Sequence, residues 1–186
     1  MRALPIAVTV FAAALALTSC DSGGSGDSGK SGDPAGSGSA TKAAVAACVI
    51  GDAGVQVGPA NAATAAGDTG NVPVTLTNKG GRCVLKGVPR VSVKAAAGGS
   101  GAEIGAEGSA PSEELTLAKG DTASFTITYV RGADGDANSL AAKTLTIGFP
   151  GGGATRDFPW SYGAVAGKGS AEVLEASVSA FQHAGD

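Results

Sequence analysis

The sequence predicts an all-β protein, an antiparallel β-sandwich set behind an export signal and a flexible linker. Three observations carry this. Apolar residues alternate with Thr, Ser and other polar residues in several separate runs. Gly-rich turns divide those runs at short spacing. No amphipathic helical pattern stands between them to supply the crossovers that a parallel sheet requires.

Residues 1–20 read MRALPIAVTVFAAALALTSC, with Arg2 as the only charge before an apolar stretch from Ala3 to Leu17. A membrane-spanning helix needs ~20 such residues to cross ~30 Å of hydrocarbon. This run has 15 and suits the apolar region of a secretory signal instead. It ends in Leu17-Thr18-Ser19-Cys20, which resembles the lipobox of bacterial lipoproteins. That resemblance implies a signal peptide over 1–19, removed so that Cys20 becomes the lipidated N-terminus. The competing cut follows Ala14-Leu15-Ala16, an A-x-A pattern. Two acyl chains give stable anchoring, because each buried CH₂ contributes about 0.8 kcal/mol.

Residues 20–42 form the lipidated Cys and a Gly/Ser-rich linker, with seven Gly and six Ser among positions 21–42. Nothing there can bury surface against a core. Such a tether has an r.m.s. reach of ~26 Å.

The sandwich domain is assigned to 43–186. Val72, Val74 and Leu76 alternate with Pro73, Thr75 and Thr77, and Val91 and Val93 with Arg90, Ser92 and Lys94. Leu115 and Leu117 flank Thr116, and Lys119-Gly120-Asp121 makes a turn into Ala123, Phe125, Ile127 and Tyr129. Leu145, Ile147 and Phe149 repeat the scheme. Each run reads as a half-buried strand. Ala95 to Ser112 reads as a polar, glycyl loop with one short strand at Glu103-Ile104, and Ser170 to Phe181 as a final strand, although a helical face also fits.

Three Cys are present. With Cys20 acylated, Cys48 and Cys83 remain, and in an oxidising compartment an even pair in a core-poor domain is most simply a disulfide. It would close a loop of ~36 residues and contribute about 4 kcal/mol in the chain-entropy model. A redox or metal pair is the alternative, without a C-x-x-C spacing or a nearby His to support it.

Composition excludes more than it assigns. The chain carries 31 Gly and 37 Ala, more than a third of its 186 residues, and only 4% aromatics. With 13 basic and 16 acidic residues and no basic run, it offers no patch for nucleic acid. One His and one Met exclude His-rich and Met-lined metal centres, and no metal or cofactor is expected. The sole His, His183, lies three residues from the C-terminus in a stretch read as a frayed tail, so no Ser-His-Asp arrangement is expected. Glu103, Glu107, Glu113 and Glu114 fall in or beside the glycyl loop and read as solvated rather than as a catalytic pair. Asp134-Gly135-Asp136-Ala137-Asn138 copies the start of an EF-hand loop, but Ser139 and Leu145 stand where Gly and a bidentate Glu are needed. Gly151-Gly152-Gly153 reads as a turn. Phe158, Trp160 and Tyr162 alternate on one short strand: outward, they would form a binding surface; inward, they are core. Pro159 between them marks an edge strand, open to a partner by strand addition.

The order of features also resembles a known family. Cys48 is followed by Thr77-Asn78, then Cys83-Val84-Leu85-Lys86-Gly87-Val88-Pro89, then Leu117-Ala118-Lys119-Gly120 and a late Pro150. This pattern resembles the actinobacterial secreted domain family labelled domain of unknown function four-two-three-two, over roughly residues 47 to 180. Lys119 stands where the family usually has Pro, and the second Cys pair that members often carry is absent. The resemblance implies an immunoglobulin-like sandwich and the Cys48–Cys83 bridge, and it implies no activity.

The expectation is therefore a non-enzymatic binding or interaction module of the cell envelope. It would be lipid-anchored to the extracytoplasmic face of the cell membrane through Cys20, with an envelope component or exported protein as partner. The alternatives are a cell-wall-directed hydrolase and a structural envelope protein without a soluble ligand.

Overall fold

A computed structural model describes residues 44–184 apart from 59, 97–98 and 109–111. The expected signal, Cys20 and the linker lie outside the described residues. A single 3-10 turn (Ile50–Asp52) precedes thirteen strands. In chain order these are β1 (Ala53–Val57), β2 (Thr69–Asn78), β3 (Cys83–Lys86), β4 (Arg90–Lys94), β5 (Gly101–Ala106), β6 (Glu114–Leu117) and β7 (Thr122–Val130). There follow β8 (Ser139–Leu140), β9 (Thr144–Gly148), β10 (Thr155–Pro159), β11 (Val165–Ala166), β12 (Ala176–Val178) and β13 (Gln182–His183).

The period-two runs become strands because one face of each is apolar. Val72, Val74 and Leu76 of β2 and Ala123, Phe125, Ile127 and Tyr129 of β7 are buried, while the Thr and Ser between them are half-exposed. The two strands pair antiparallel from Thr69↔Val130 to Thr77↔Thr122, so cross-strand apolar pairs such as Val74↔Phe125 stack inward.

The strands hydrogen-bond in the order β1-β2-β7-β12-β5-β4-β9-β10, with β13 added on β7. This ladder is folded into two layers, a sandwich that approaches a barrel. Phe181 packs edge-on between Phe125 and Phe149, at 5.6 and 5.8 Å between ring centroids. The two ends of the ladder also meet, for Arg156 Nη1 on β10 donates to the carbonyl of Ala53 on β1 at 2.8 Å. A separate pair, β3 with β6, buries Leu85, Leu115 and Leu117 at one end.

Several expectations are corrected. The short strand expected at Glu103-Ile104 within the 95–112 loop is longer, running over the six residues of β5, whose inward face is Ala102 and Ile104. Alanine on that face conceals the alternation. The final strand expected at 170–181 shrinks to β12, because a bond from Lys168 N–H to Val173 C=O and a bridge between Gly167 and Leu174 fold the preceding residues into a turn. One pairing between the named strands is parallel, Ser177↔Gly105 and Val178↔Ala106 between β12 and β5. His183 lies within β13, paired with Ala123, rather than in a frayed tail.

Close packing fixes Gly70. A Cβ at Gly70 would lie 2.5 Å from Tyr129 Cε1 and 2.8 Å from Ala63 N. We expect Gly70→Ala to cost about 2 kcal/mol through this overpacking, measured as a lower urea midpoint. An unchanged midpoint would show that the Tyr129 ring moves aside freely.

Candidate functional site

At one end of the sandwich the chain leaving β10 turns through Trp160–Ala164 beside the exits of β7 and β8. A cavity of about 310 Å³ opens there, lined among others by Arg131, Asp134, Lys143, Trp160, Tyr162 and Gly163. Its floor is built by hydrogen bonds that continue the sheet. Trp160 N–H donates to Lys143 C=O at 2.8 Å, extending the β9–β10 pairing past Pro159. The indole Nε1–H of Trp160 then donates to Gly163 C=O at 2.8 Å, tying a tight turn that Gly163 completes at φ +88°.

Tyr129 locks this turn to the core. Its hydroxyl donates to Tyr162 C=O at 3.0 Å and accepts from Ala63 N–H at 3.2 Å, so a fully buried phenol is satisfied on both sides. Trp160 meets the Tyr129 and Tyr162 rings edge-on, at 5.1 and 4.9 Å. Burial, and secondarily the neighbouring Tyr129, push the Tyr162 phenol above the usual tyrosine range. It is therefore a neutral hydroxyl at physiological pH.

Arg131 stands in the wall with its guanidinium fixed. Nη1 donates to the carbonyls of Ala63 and Thr64, each at 3.2 Å. Gly163 leaves room for it, since a Cβ there would sit 3.0 Å from Arg131 Nε. The other guanidinium donors have no hydrogen-bond partner among the described residues. Lys143, also exposed to the cavity, holds its place through its backbone, donating N–H to Lys94 C=O at 2.7 Å. Among the described residues neither cation has a carboxylate within 4.0 Å, and the ion pair there is Lys86–Glu114, at 3.7 Å on the surface.

The segment that holds Arg131 is itself closed by Asp68. Its carboxylate accepts from Ala65 N–H and from the Thr64 hydroxyl, each at 2.9 Å, and these bonds, with Arg131's charge a lesser cause, hold it below the ordinary aspartate range. Because the folded value is the lower one, its contribution is complete above an unfolded value of about 3.9 and lost as pH falls through the folded value. The stability gap between wild type and Asp68→Asn is therefore expected to narrow as pH drops from about 5 towards 2. Urea unfolding at stepped pH reads it; a gap that stays constant would show that the carboxylate bonds contribute nothing.

The residues singled out from sequence fall as follows. Cys48 and Cys83 form a disulfide with a Cα–Cα distance of 4.9 Å. Cys20 lies outside the described residues. The three aromatics do not share one strand. Phe158, next to last in β10, is half-buried beneath the Arg156 guanidinium, 5.5 Å from its ring centroid, Trp160 is buried beyond the strand, and Tyr162 is half-buried in the turn. Phe158 registers with Leu145, so this side of β10 faces inward. Only Trp160 and Tyr162 reach the cavity. Glu103 and Glu114 sit on different ladders, opposite Ser92 and Lys86. In the acidic loop Asp136 Oδ1 accepts from Asn138 N–H at 2.6 Å, the bond of an ordinary Asx turn. No group of three His, Cys, Asp or Glu able to hold a metal ion occurs among the described residues.

Arg131 and Lys143 were missed, although a signal existed. Arg131 keeps the inward parity of Ala123, Phe125, Ile127 and Tyr129, and Lys143 that of Leu145, Ile147 and Phe149. A cation in an inward register marks the place where the core gives way to a polar hollow.

Comparison with known proteins adds the family. Residues 48–182, well over half of the chain, match the family described as Domain of unknown function (DUF4232). None of the curated proteins and none of the solved structures matches the chain. The family match starts at the first half-cystine and ends in the last strand, so it coincides with the sandwich. The chain belongs to the Domain of unknown function (DUF4232) family.

Proposed function

We propose that the protein is a binding module of the cell envelope, anchored by acyl chains on Cys20 and held at the extracytoplasmic face of the membrane. The disulfide carries this reading. It pairs both thiols of the sandwich, and structural disulfides persist in oxidising compartments. That leaves Cys20, directly behind a short apolar signal, as the one thiol for lipid. The linker then gives the domain reach without fixing its orientation. Binding is favoured over hydrolysis by the cavity lining, which among the described residues offers two cations, aromatic edges, the carboxylate of Asp134 and a serine, but no imidazole or thiol to pair as base and nucleophile. Its partner is an envelope component or another exported protein.

The test is made on intact cells. Wild type should fractionate with membrane and be labelled by an impermeant reagent, whereas Cys20→Ser should appear in the medium. Crosslinking should then enrich one exported protein or envelope component with the anchored form alone. Wild type found in the cytosol, or an unchanged location of the Cys20→Ser protein, would refute the anchored module.

A further inference from the structure

We propose that the cavity between Arg131, Lys143 and Trp160 binds a carboxylate, presented on a small body such as a peptide C-terminus or an acidic sugar. The inference deepens the binding-module reading and rests on it for its biological sense. Two cations line one hollow of about 310 Å³, and among the described residues neither has a carboxylate within 4.0 Å, Asp68 reaching Arg131 only as a weaker, longer-range influence. Arg131 is half-buried, where a charge is costly to leave unpaired, and Lys143 adds an exposed ammonium on the same lining, so the hollow favours an external anion.

The charge balance of the lining selects its kind. Arg131 and Lys143 are offset by Asp134, a net excess of one positive charge, which suits a monoanion better than a phosphate dianion. The guanidinium is ordered in advance by the carbonyls of Ala63 and Thr64, so little side-chain entropy remains to be lost on binding. The volume lies at the low end for ligand sites and admits only a small body behind the carboxylate. That body meets the alanine wall at Ala62, Ala63 and Ala142 and the aromatic floor, while the Tyr162 hydroxyl, neutral at physiological pH, is available as a donor.

Trp160 is the only tryptophan in the chain and belongs to the cavity, so its emission reports on this site. Full-length protein in detergent is titrated with N-acetyl-alanyl-alanine, glucuronate and inorganic phosphate. The dipeptide methyl ester and glucose serve as uncharged controls, and titration calorimetry runs in parallel. The expected result is saturable binding of one or both carboxylates and none of the controls, with affinity falling as salt is added. A response confined to the dipeptide assigns a peptide terminus, and one confined to glucuronate assigns an acidic sugar. Lys143→Met, which keeps the backbone bonds at 143, should weaken binding roughly tenfold or more, and Lys86→Met, remote from the cavity, should not. Silence in both fluorescence and heat, equal binding of the ester, a preference for phosphate, or an unaffected Lys143→Met protein would each overturn the proposal. None of these outcomes bears on fractionation of the Cys20→Ser strain, so the anchored-module reading stands or falls separately.

Discussion

Removing the Cys48–Cys83 bridge, by reductant or by the double change Cys48→Ala with Cys83→Ala, is expected to lower the melting temperature by roughly 12–16 °C. The two half-cystines are separated by 35 positions. Releasing a loop of that length returns about 4 kcal/mol of conformational entropy to the unfolded chain. For a domain this size each kcal/mol is worth roughly 3–4 °C. Little else holds the segment that the bridge secures. It touches β3 through one bond from Cys48 N–H to Val84 C=O and one from Val84 N–H to Ala46 C=O, and Val45 and Val49 project into solvent. Thermal melts by circular dichroism, with and without reductant, decide the matter. A shift below about 3 °C would mean that the unfolded chain is already restrained there.

The second large effect is expected at Asn78, which is only 6% exposed. Its Nδ2 donates to the carbonyls of Gly81 at 2.8 Å, Ala118 at 3.1 Å and Leu117 at 3.2 Å, and its Oδ1 accepts from Gly80 N–H at 3.0 Å. One amide thus fastens the β2–β3 turn to the β6–β7 turn. Asn78→Ala strands these groups. Water can reach the exposed residues Gly81 and Ala118, but Leu117 is buried, so the net cost is set at roughly 3 kcal/mol. Asn78→Asp is expected to do worse near neutral pH, because it turns a carboxylate towards three carbonyl oxygens, and to recover in part in acid as the carboxyl gains a proton. Urea unfolding at about pH 7.5 and pH 4 separates the cases. If Asn78→Asp matched wild type at both, the amide would not be the fastening.

The strands legible in the sequence were those with branched or aromatic residues on the inward face. Val72–Leu76, Ala123–Tyr129 and Leu145–Phe149 announce themselves because every inward position but Ala123 is branched or aromatic and most outward ones are Thr or Ser. β5 announced only its centre at Glu103-Ile104, because its other inward residue is Ala102. β12 is three residues long and takes its place from neighbours on both sides, which no local pattern encodes. Asn78 ahead of Lys79-Gly80-Gly81 has the chemistry of a turn residue, but nothing local marks it as a buried hub, since its three acceptors come from both neighbouring turns, two of them 39 and 40 positions away. The cystine followed from arithmetic, whereas the cavity did not, because it is assembled from the ends of β7, β9 and β10. The aromatics at 158–162 were placed together by spacing, and the turn beyond Pro159 divided them.

The clasp from Arg156 to the Ala53 carbonyl has a consequence for crowding. A long sheet ordinarily presents two bare rims, and bare rims recruit strands from other copies into aggregates. Here the ladder has its ends at β1 and β10. The guanidinium occupies a carbonyl at the first of them, and Pro159 removes a donor from the second. One carbonyl of the first rim and one donor of the second are thus withdrawn, which lowers the open backbone on which copies held at high local density could add strands to one another.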